Sequence, residues 1–109
     1  MGKFSKGQVI FVSFPFSNLK GNKVRPAVIL AEAEFGNVVL CQITSKPYSS
    51  KIAIKIELRD FAEGQLTTTS YVRPDKLFTA ETSIIQEIVG ELNIKTIKGI
   101  AQKVRKLFS

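Results

Sequence analysis

Two Arg-Pro pairs in this sequence each set a guanidinium group at the beginning of an extended segment. The first is Arg25-Pro26 and the second is Arg73-Pro74. Proline disfavours the α conformation for the residue before it, so both arginines are predicted to have extended backbone. Arg25 stands between a polar loop and an apolar run, where a permanent charge is held at the edge of a rigid scaffold. This position indicates either a working site or an arginine that only caps the loop.

Hydroxyl and carboxylate groups supply the other polar chemistry near these pairs. Thr44 and Ser45 stand at the end of a predicted strand, and Asp75 follows Arg73 by two residues. If the extended stretch continues, Arg73 and Asp75 share a face, and the simplest explanation is a surface ion pair worth roughly 0 to 1 kcal/mol.

The absence of histidine restricts the chemistry further. With no histidine and one cysteine, the chain cannot build a Ser-His or Cys-His nucleophile or the usual zinc site. We therefore predict no metal and no cofactor. Any catalysis would use arginine, lysine, hydroxyls and isolated carboxylates.

The charge distribution favours a polyanionic partner. The net charge is +7, from 16 Lys and Arg against 9 Asp and Glu, and the isoelectric point is about 9.8. Residues 1–31 contain five cations and no acid, and no acid follows Glu91. Nucleic acid is the leading candidate partner, although lysines that only keep a basic protein dispersed would give the same numbers.

The apolar pattern predicts a mainly β chain that ends in a helix. Short runs rich in Val, Ile and Phe alternate with turn residues, and their period of two is typical of strands. The predicted strands are 8–14, 23–30, 38–44, a half-solvated strand over 51–59, an extended stretch over 71–79, and 88–92, with a turn over 60–65. Cys41 lies among apolar neighbours and is predicted to be a core residue.

The last part of the chain changes to a helical period. Asn93 is a suitable N-cap, and a stripe with three- and four-residue spacing follows it. The residues of this stripe are Ile94, Ile97, Ala101, Val104 and Phe108. They predict an amphipathic C-terminal helix packed on the sheet, weakened by an internal Gly99.

Length and composition fit one globular domain over residues 1–109. The chain is 44% apolar and 23% charged, which argues against disorder. No apolar run approaches the ~18 to 20 residues of a membrane span, and no signal-peptide pattern is present at the N-terminus. We expect a cytoplasmic protein with no membrane partner.

Four short motifs occur in a fixed order along the chain. They are Gly7-Gln8-Val9 with Phe14-Pro15-Phe16 and Asn18, then Arg25-Pro26-Ala27, then Gln42-Ile43-Thr44-Ser45, and finally Ser70 to Lys76. In this order and spacing they resemble the MazF/PemK toxin family, and the PemK-type members most, from Gly7 to about Phe108. The first loop differs from the best-known members, having Leu19-Lys20-Gly21-Asn22 where they have Gly-Ser-Glu-Gln. Base preference is therefore not carried over.

The resemblance implies an SH3-like small β-barrel of five to six strands with an amphipathic C-terminal helix. It also implies a homodimeric toxin of a type II toxin-antitoxin system that cleaves single-stranded RNA without metal and binds a cognate antitoxin. The family's catalytic arginine and threonine fall on Arg25 and Thr44, and the later motif contributes Arg73 and Asp75. In the first loop, Phe16 is either an anchor on the barrel or a surface for stacking bases.

These residues suit attack of a 2′-hydroxyl on the adjacent phosphorus. A fixed guanidinium at Arg25 can bind two phosphoryl oxygens as negative charge grows on them. Thr44 can hydrogen-bond a phosphate oxygen or orient the attacking hydroxyl, and Asp75 is the most plausible proton acceptor in a chain without histidine.

The remaining candidate site residues are assigned to RNA binding. They are Lys20, Lys23, Ser45 and Arg73. Two alternatives stay open from the sequence alone. One is a non-catalytic nucleic-acid-binding SH3-like barrel, and the weaker one is a protein-binding SH3-like module.

Overall fold

The computed structural model describes residues 4–14 and 23–109. Within them lie seven strands and one α-helix, with three single 3₁₀ turns between strands. The strands are β1 (Gln8–Phe14), β2 (Lys23–Glu32), β3 (Asn37–Thr44), β4 (Ile54–Ile56), β5 (Phe61–Gly64), β6 (Ser70–Glu81) and β7 (Ile85–Leu92), and the helix is α1 (Ile94–Lys106).

The strands form one antiparallel sheet in the order β4-β6-β3-β2-β1-β7-β5. The sheet curls into a half-barrel, and its two short strands, β4 and β5, lie at the edges. The prediction of a mainly β, SH3-like barrel with a C-terminal helix is confirmed. The sheet has one strand more than expected because residues 61–64, predicted as a turn, pair with β7.

Apolar side chains cover both faces of the sheet. The helix-side layer contains Val9, Val28, Cys41, Ile43, Ile56, Val72, Leu92 and Ile100. The opposite layer contains Ile10, Val12, Ala27, Ile29, Val38, Leu40 and Ala80. Since neighbouring residues of a strand point to opposite faces, β3 contributes Cys41 and Ile43 to one layer and Leu40 to the other. The predicted alternation of β3 is confirmed.

The helix follows its cap closely, but its buried stripe is shorter than predicted. The Asn93 side chain accepts a 2.8 Å hydrogen bond from the Thr96 N–H, which satisfies one free donor of the first turn. Ile100 is the fully buried residue of the helix. Ile94 is 71% exposed and Phe108 is 77% exposed, so both assignments to the packed stripe are wrong. Ile94 begins the helix and Phe108 lies beyond its end.

The segment 51–59 differs most from its prediction. Only Ile54–Ile56 pairs as a strand, with β6, and the chain then enters a 3₁₀ turn at Leu58–Asp60. Leu58 is consequently 66% exposed, although the alternation placed it on the buried face. The reason is local: Asp60 accepts a 2.8 Å hydrogen bond from the Glu57 N–H, and this capping interaction ends the extended backbone.

Candidate functional site

Arg25 and Thr44 lie at the same end of adjacent strands and on the same face. The pairs Ala27–Gln42 and Val28–Cys41 set the register of β2 against β3. The observed pairing of these strands begins at Ala27–Gln42, so Arg25 and Thr44 each lie two residues beyond it, at the same end of the two strands. Period two puts Arg25 and Ala27 on one face, which is the face of the opposite layer.

The second Arg-Pro pair forms a bulge on β6, beside the same end of β3. Val72 pairs with Ile43 and Leu77 pairs with Cys41, so residues 73–76 together oppose the single residue Gln42. Proline cannot donate to a strand ladder, and bulges are a common place for it. Within the bulge Asp75 and Lys76 are exposed, Arg73 is half-buried and Pro74 is buried. Since β6, β3 and β2 are neighbours in the sheet, Arg73 lies about two strand spacings, or ~10 Å, from Arg25.

Arg73 and Asp75 form a bidentate ion pair within this bulge. Arg73 Nε lies 3.3 Å from Asp75 Oδ1, and Arg73 Nη2 lies 3.1 Å from Asp75 Oδ2. The predicted sharing of one face is confirmed. The side chains are 22% and 37% exposed, respectively, so this pair is partly screened from water. A carboxylate has about four acceptor positions, so Asp75 keeps free lone pairs while it is bound to Arg73.

Cys41 anchors the bulge from within the core. Its thiol donates a 2.8 Å hydrogen bond to the Arg73 carbonyl oxygen, and the residue is fully buried. Burial, and to a smaller extent the nearby Asp75 carboxylate, raises the pKa of Cys41 from its ordinary 9.0 to about 12. The thiol therefore stays protonated at neutral pH. The prediction of a core cysteine and not a reactive one is confirmed.

Thr44 has a local partner as well as a position near Arg25. Its Oγ1 accepts a 3.1 Å hydrogen bond from the Lys46 N–H, and its hydroxyl lies 3.5 Å from the Lys46 carbonyl oxygen. The hydrogen bond from Lys46 closes a turn directly after β3. At 3.5 Å the hydroxyl proton is only weakly held, so it is available to a ligand. Ser45 is exposed beside it.

The two predicted lysine contacts fall in or beside the segment of the chain between β1 and β2. Lys20 and the aromatic Phe16 lie outside the described residues. Lys23 begins β2, but its side chain likewise lies outside what the structure describes. Arg25 itself is exposed. Among the predicted site residues, the structure joins Arg73 to Asp75 directly and places Arg25, Thr44 and Ser45 at the neighbouring ends of β2 and β3.

A family model described as "PemK-like, MazF-like toxin of type II toxin-antitoxin system" matches residues 5–108. This match covers nearly the whole chain. The chain belongs to the PemK-like, MazF-like toxins. The resemblance seen in the sequence motifs is thereby confirmed. A search of curated protein sequences found no significant match.

Solved structures of MazF proteins share the fold of this PemK-like toxin. A Deinococcus radiodurans MazE-MazF structure has a TM-score of 0.77 at 18% identity, covering 96% of this chain and 95% of that chain. A mycobacterial endoribonuclease in complex with its cognate antitoxin has a TM-score of 0.73 at 18% identity, covering 99% and 95%. The Mycobacterium tuberculosis toxin MazF-mt6 has a TM-score of 0.71 at 19% identity, covering 93% and 95%.

Two further observations complete the description of this toxin. Among residues 4–14 and 23–109, no three His, Cys, Asp or Glu side chains gather as a group that could hold a metal ion. In the same part of the chain, no helix is long and apolar enough to cross a membrane.

Two structural features near these residues were not predicted from the sequence. One is the hydrogen bond from Cys41 to the second Arg-Pro pair, since nothing in the sequence joins residues 41 and 73. The other is Tyr48, which lies four residues after Thr44 and is 85% exposed. In the sequence, Tyr48 could have been noticed as an isolated aromatic residue among Pro47, Ser49 and Ser50.

Proposed function

We propose that this toxin is an endoribonuclease that cleaves single-stranded RNA without a metal ion, in the cytoplasm. The observation that carries the proposal is that Arg25 and Thr44 lie just beyond the paired part of β2 and β3, at the end of the sheet next to the Arg73–Asp75 ion pair of β6. Two guanidinium groups, a hydroxyl and a carboxylate then face one end of the sheet. Membership of the toxin family and the endoribonuclease relatives support the same activity.

In the proposed reaction, the 2′-oxygen of one nucleotide attacks the adjacent phosphorus. Asp75 accepts the proton of the 2′-hydroxyl, the bond from phosphorus to the 5′-oxygen breaks, and that oxygen takes up a proton from water. The products are a 2′,3′-cyclic phosphate and a 5′-hydroxyl. Arg25 stabilises the phosphoryl oxygens as their charge grows. Arg73 orients Asp75, and the Thr44 hydroxyl donates to the phosphate or positions the attacking oxygen.

The activity is tested with a long single-stranded RNA in excess chelator, followed by mapping of the fragment ends. We expect cyclic-phosphate and 5′-hydroxyl ends. Loss of cleavage that returns only on adding a divalent cation would reject the metal-free mechanism. RNA binding without any cleavage would favour the non-catalytic nucleic-acid-binding barrel.

Two matched pairs of variants separate charge from chemistry. Arg25→Lys keeps the charge but loses the planar fork, and Arg25→Ala loses both. Thr44→Val removes the hydroxyl at nearly constant size, and Thr44→Ser keeps it. Loss of one stabilising donor should slow cleavage by roughly 10² to 10³, so Thr44→Val should be slow while Thr44→Ser stays active. Because Thr44 also closes a turn, thermal unfolding of both variants is the control for folding.

The basic loop and its surroundings are proposed to bind the RNA backbone. Lys20→Ala and Lys23→Ala should weaken RNA binding. The slope of the logarithm of the binding constant against the logarithm of the salt concentration should become shallower by up to about 0.7 for each phosphate group that the variant no longer binds. Ser45→Ala and Arg73→Gln test the other residues assigned to RNA binding. Unchanged salt dependence in both lysine variants would contradict this assignment.

We further propose that the toxin is a homodimer and that an antitoxin covers the basic surface. An acidic segment that folds on binding would suit a chain with net charge +7. Sedimentation at tens of micromolar, roughly the range in which standard interfaces assemble, checks the dimer. An acidic partner that binds without inhibiting cleavage would contradict the proposed mode of neutralisation.

A further inference from the structure

We propose that Tyr48 is a stacking platform for a nucleobase of RNA bound at the Arg25–Thr44 site. This inference rests on the proposed function and adds a base-binding position to it. Tyr48 is 85% exposed and follows Thr44 by four residues, so its Cα lies at most about 14 Å from that of Thr44. A base next to the cleaved phosphate is thus within reach of its ring.

The loop that carries Tyr48 is tied down on both sides of the ring. The Lys46 N–H binds Thr44 Oγ1 at 3.1 Å, and the Ser50 N–H binds the Pro47 carbonyl oxygen at 3.0 Å. Ser50 Oγ in turn accepts from the Ala53 N–H at 3.1 Å. These bonds hold the backbone on both sides of Tyr48, so little ordering of this loop is needed when RNA binds.

Neither the exposure of Tyr48 nor its backbone conformation helps the fold. Its φ is 56°, in the left-handed region that favours glycine and is strained for a bulky side chain. An exposed ring gains little from packing to offset this strain. Strained residues of this kind cluster at ligand-binding sites.

The charge around Tyr48 selects a polyanion as its ligand. Lys46 and Lys51 lie within three residues of Tyr48 in the chain and both are exposed, and no acid occurs from residue 35 to residue 56. Cations beside an exposed aromatic ring are the combination that binds single-stranded nucleic acid, since the cations hold phosphates and the ring stacks on any base.

Phe35 provides a natural comparison because it shares the backbone and the exposure but not the surroundings. Its φ is 61° and it is 93% exposed. It precedes β3, so it lies roughly 23 Å along the strand from the site. Glu32 and Glu34 are its near neighbours in the chain, and they repel phosphate. Phe35 is therefore the matched control for Tyr48.

The test measures affinity for an RNA oligonucleotide that contains the mapped cleavage site and carries a 2′-deoxy substitution there, which prevents cleavage. Tyr48→Ala should weaken binding about 5- to 150-fold, the range for losing one stacked base. Its salt dependence should not change, because no charge is removed. Tyr48→Phe and Phe35→Ala should keep wild-type affinity. Tyr48→Gly should bind as weakly as Tyr48→Ala without a lower melting temperature, since glycine adopts positive φ freely.

Tyrosine fluorescence gives a second readout that does not depend on cleavage. The chain has two tyrosines and no tryptophan. RNA should quench the emission of the wild type and of Phe35→Ala. In Tyr48→Phe the quenching should largely disappear while affinity is kept.

Three results would overturn the assignment. The first is an active wild type in which Tyr48→Ala binds RNA as tightly as the wild type does. The second is an equal loss of affinity in Phe35→Ala. The third is a Tyr48→Ala variant that keeps RNA affinity and loses only an inhibitory protein partner. A wild type that quenches with RNA but never cleaves it would reject the proposed function and leave the stacking position standing.

Discussion

The buried Cys41 thiol leads to a quantitative prediction about alkaline stability. Its pKa is raised to about 12 in the folded chain and is 9.0 without that environment. Below pH 9 the thiol is protonated in both the folded and the unfolded chain, so it does not lower the free energy of unfolding. Above pH 9 only the unfolded chain loses the proton, and stability falls until the pH reaches about 12. The expected slope is about 1.4 kcal/mol per pH unit in this window.

The assay compares urea unfolding of the wild type with that of Cys41→Ser between pH 8 and 10.5. Serine does not titrate here, yet its hydroxyl can still donate to the Arg73 carbonyl oxygen. Other titrating groups affect both proteins alike, so the difference between the two curves isolates the thiol. Between pH 9 and pH 10.5 the wild type should lose about 1.6 kcal/mol relative to Cys41→Ser, because the slope is only half its full value at pH 9. A constant difference over this range would refute the reasoning.

Thiol labelling checks the same property at one pH. At pH 8, a pKa of 12 in place of 9 lowers the thiolate fraction about 1000-fold. A disulfide reagent should therefore label the native protein at least about 1000 times more slowly than the urea-unfolded protein. Rapid labelling in native buffer would mean that Cys41 is accessible and does not hold the bulge through its thiol proton.

Three further predictions concern stability and rate. Gly99→Ala should raise the free energy of unfolding by about 0.5 to 1 kcal/mol in urea titration, since a Cβ there meets nothing within 4 Å beyond the backbone of its own helical turns; an unchanged value would mean that this turn of the helix does not limit stability. Gly90→Ala should lower it by about 1 to 3 kcal/mol, because its Cβ would lie 2.6 Å from the Glu63 carbonyl oxygen, and a neutral effect would show that the strands can separate there. Asp75→Asn should slow RNA cleavage by roughly 10² to 10⁴ with RNA affinity kept, whereas a small effect in a single-turnover assay would leave Asp75 as a partner of Arg73 only.

The sequence determined the elements whose causes are local. The first strand was predicted with its observed bounds, Gln8–Phe14, because its β-branched and aromatic residues are bounded by turn residues. Asn93 was predicted as the N-cap, and it caps the helix through a hydrogen bond to Thr96, only three residues away. The extended backbone at both Arg-Pro pairs follows from the proline ring alone.

The errors arose where a tertiary contact overrode a local pattern. Residues 61–64 have a glycine and read as a turn, yet β7 pairs with them and makes them a strand. Residues 51–59 alternate over nine positions, but only three of them find a partner, in β6. Alternation reports which faces suit burial, and it does not report whether a partner strand is present.

The candidate site itself was decided by strand pairing. The motif resemblance named Arg25, Thr44, Arg73 and Asp75 from the sequence, but their closeness depends on two registers, β2 with β3 and β3 with β6. The bulge at residues 73–76 and its anchor on Cys41 exist only in that pairing. Register is fixed by burying both apolar layers at once, and a slip of one residue would turn every side chain to the other face. The local sequence thus determined which polar side chains are available. The burial of the two apolar layers fixed the strand register, and the register decided which of these side chains lie at the same end of the sheet.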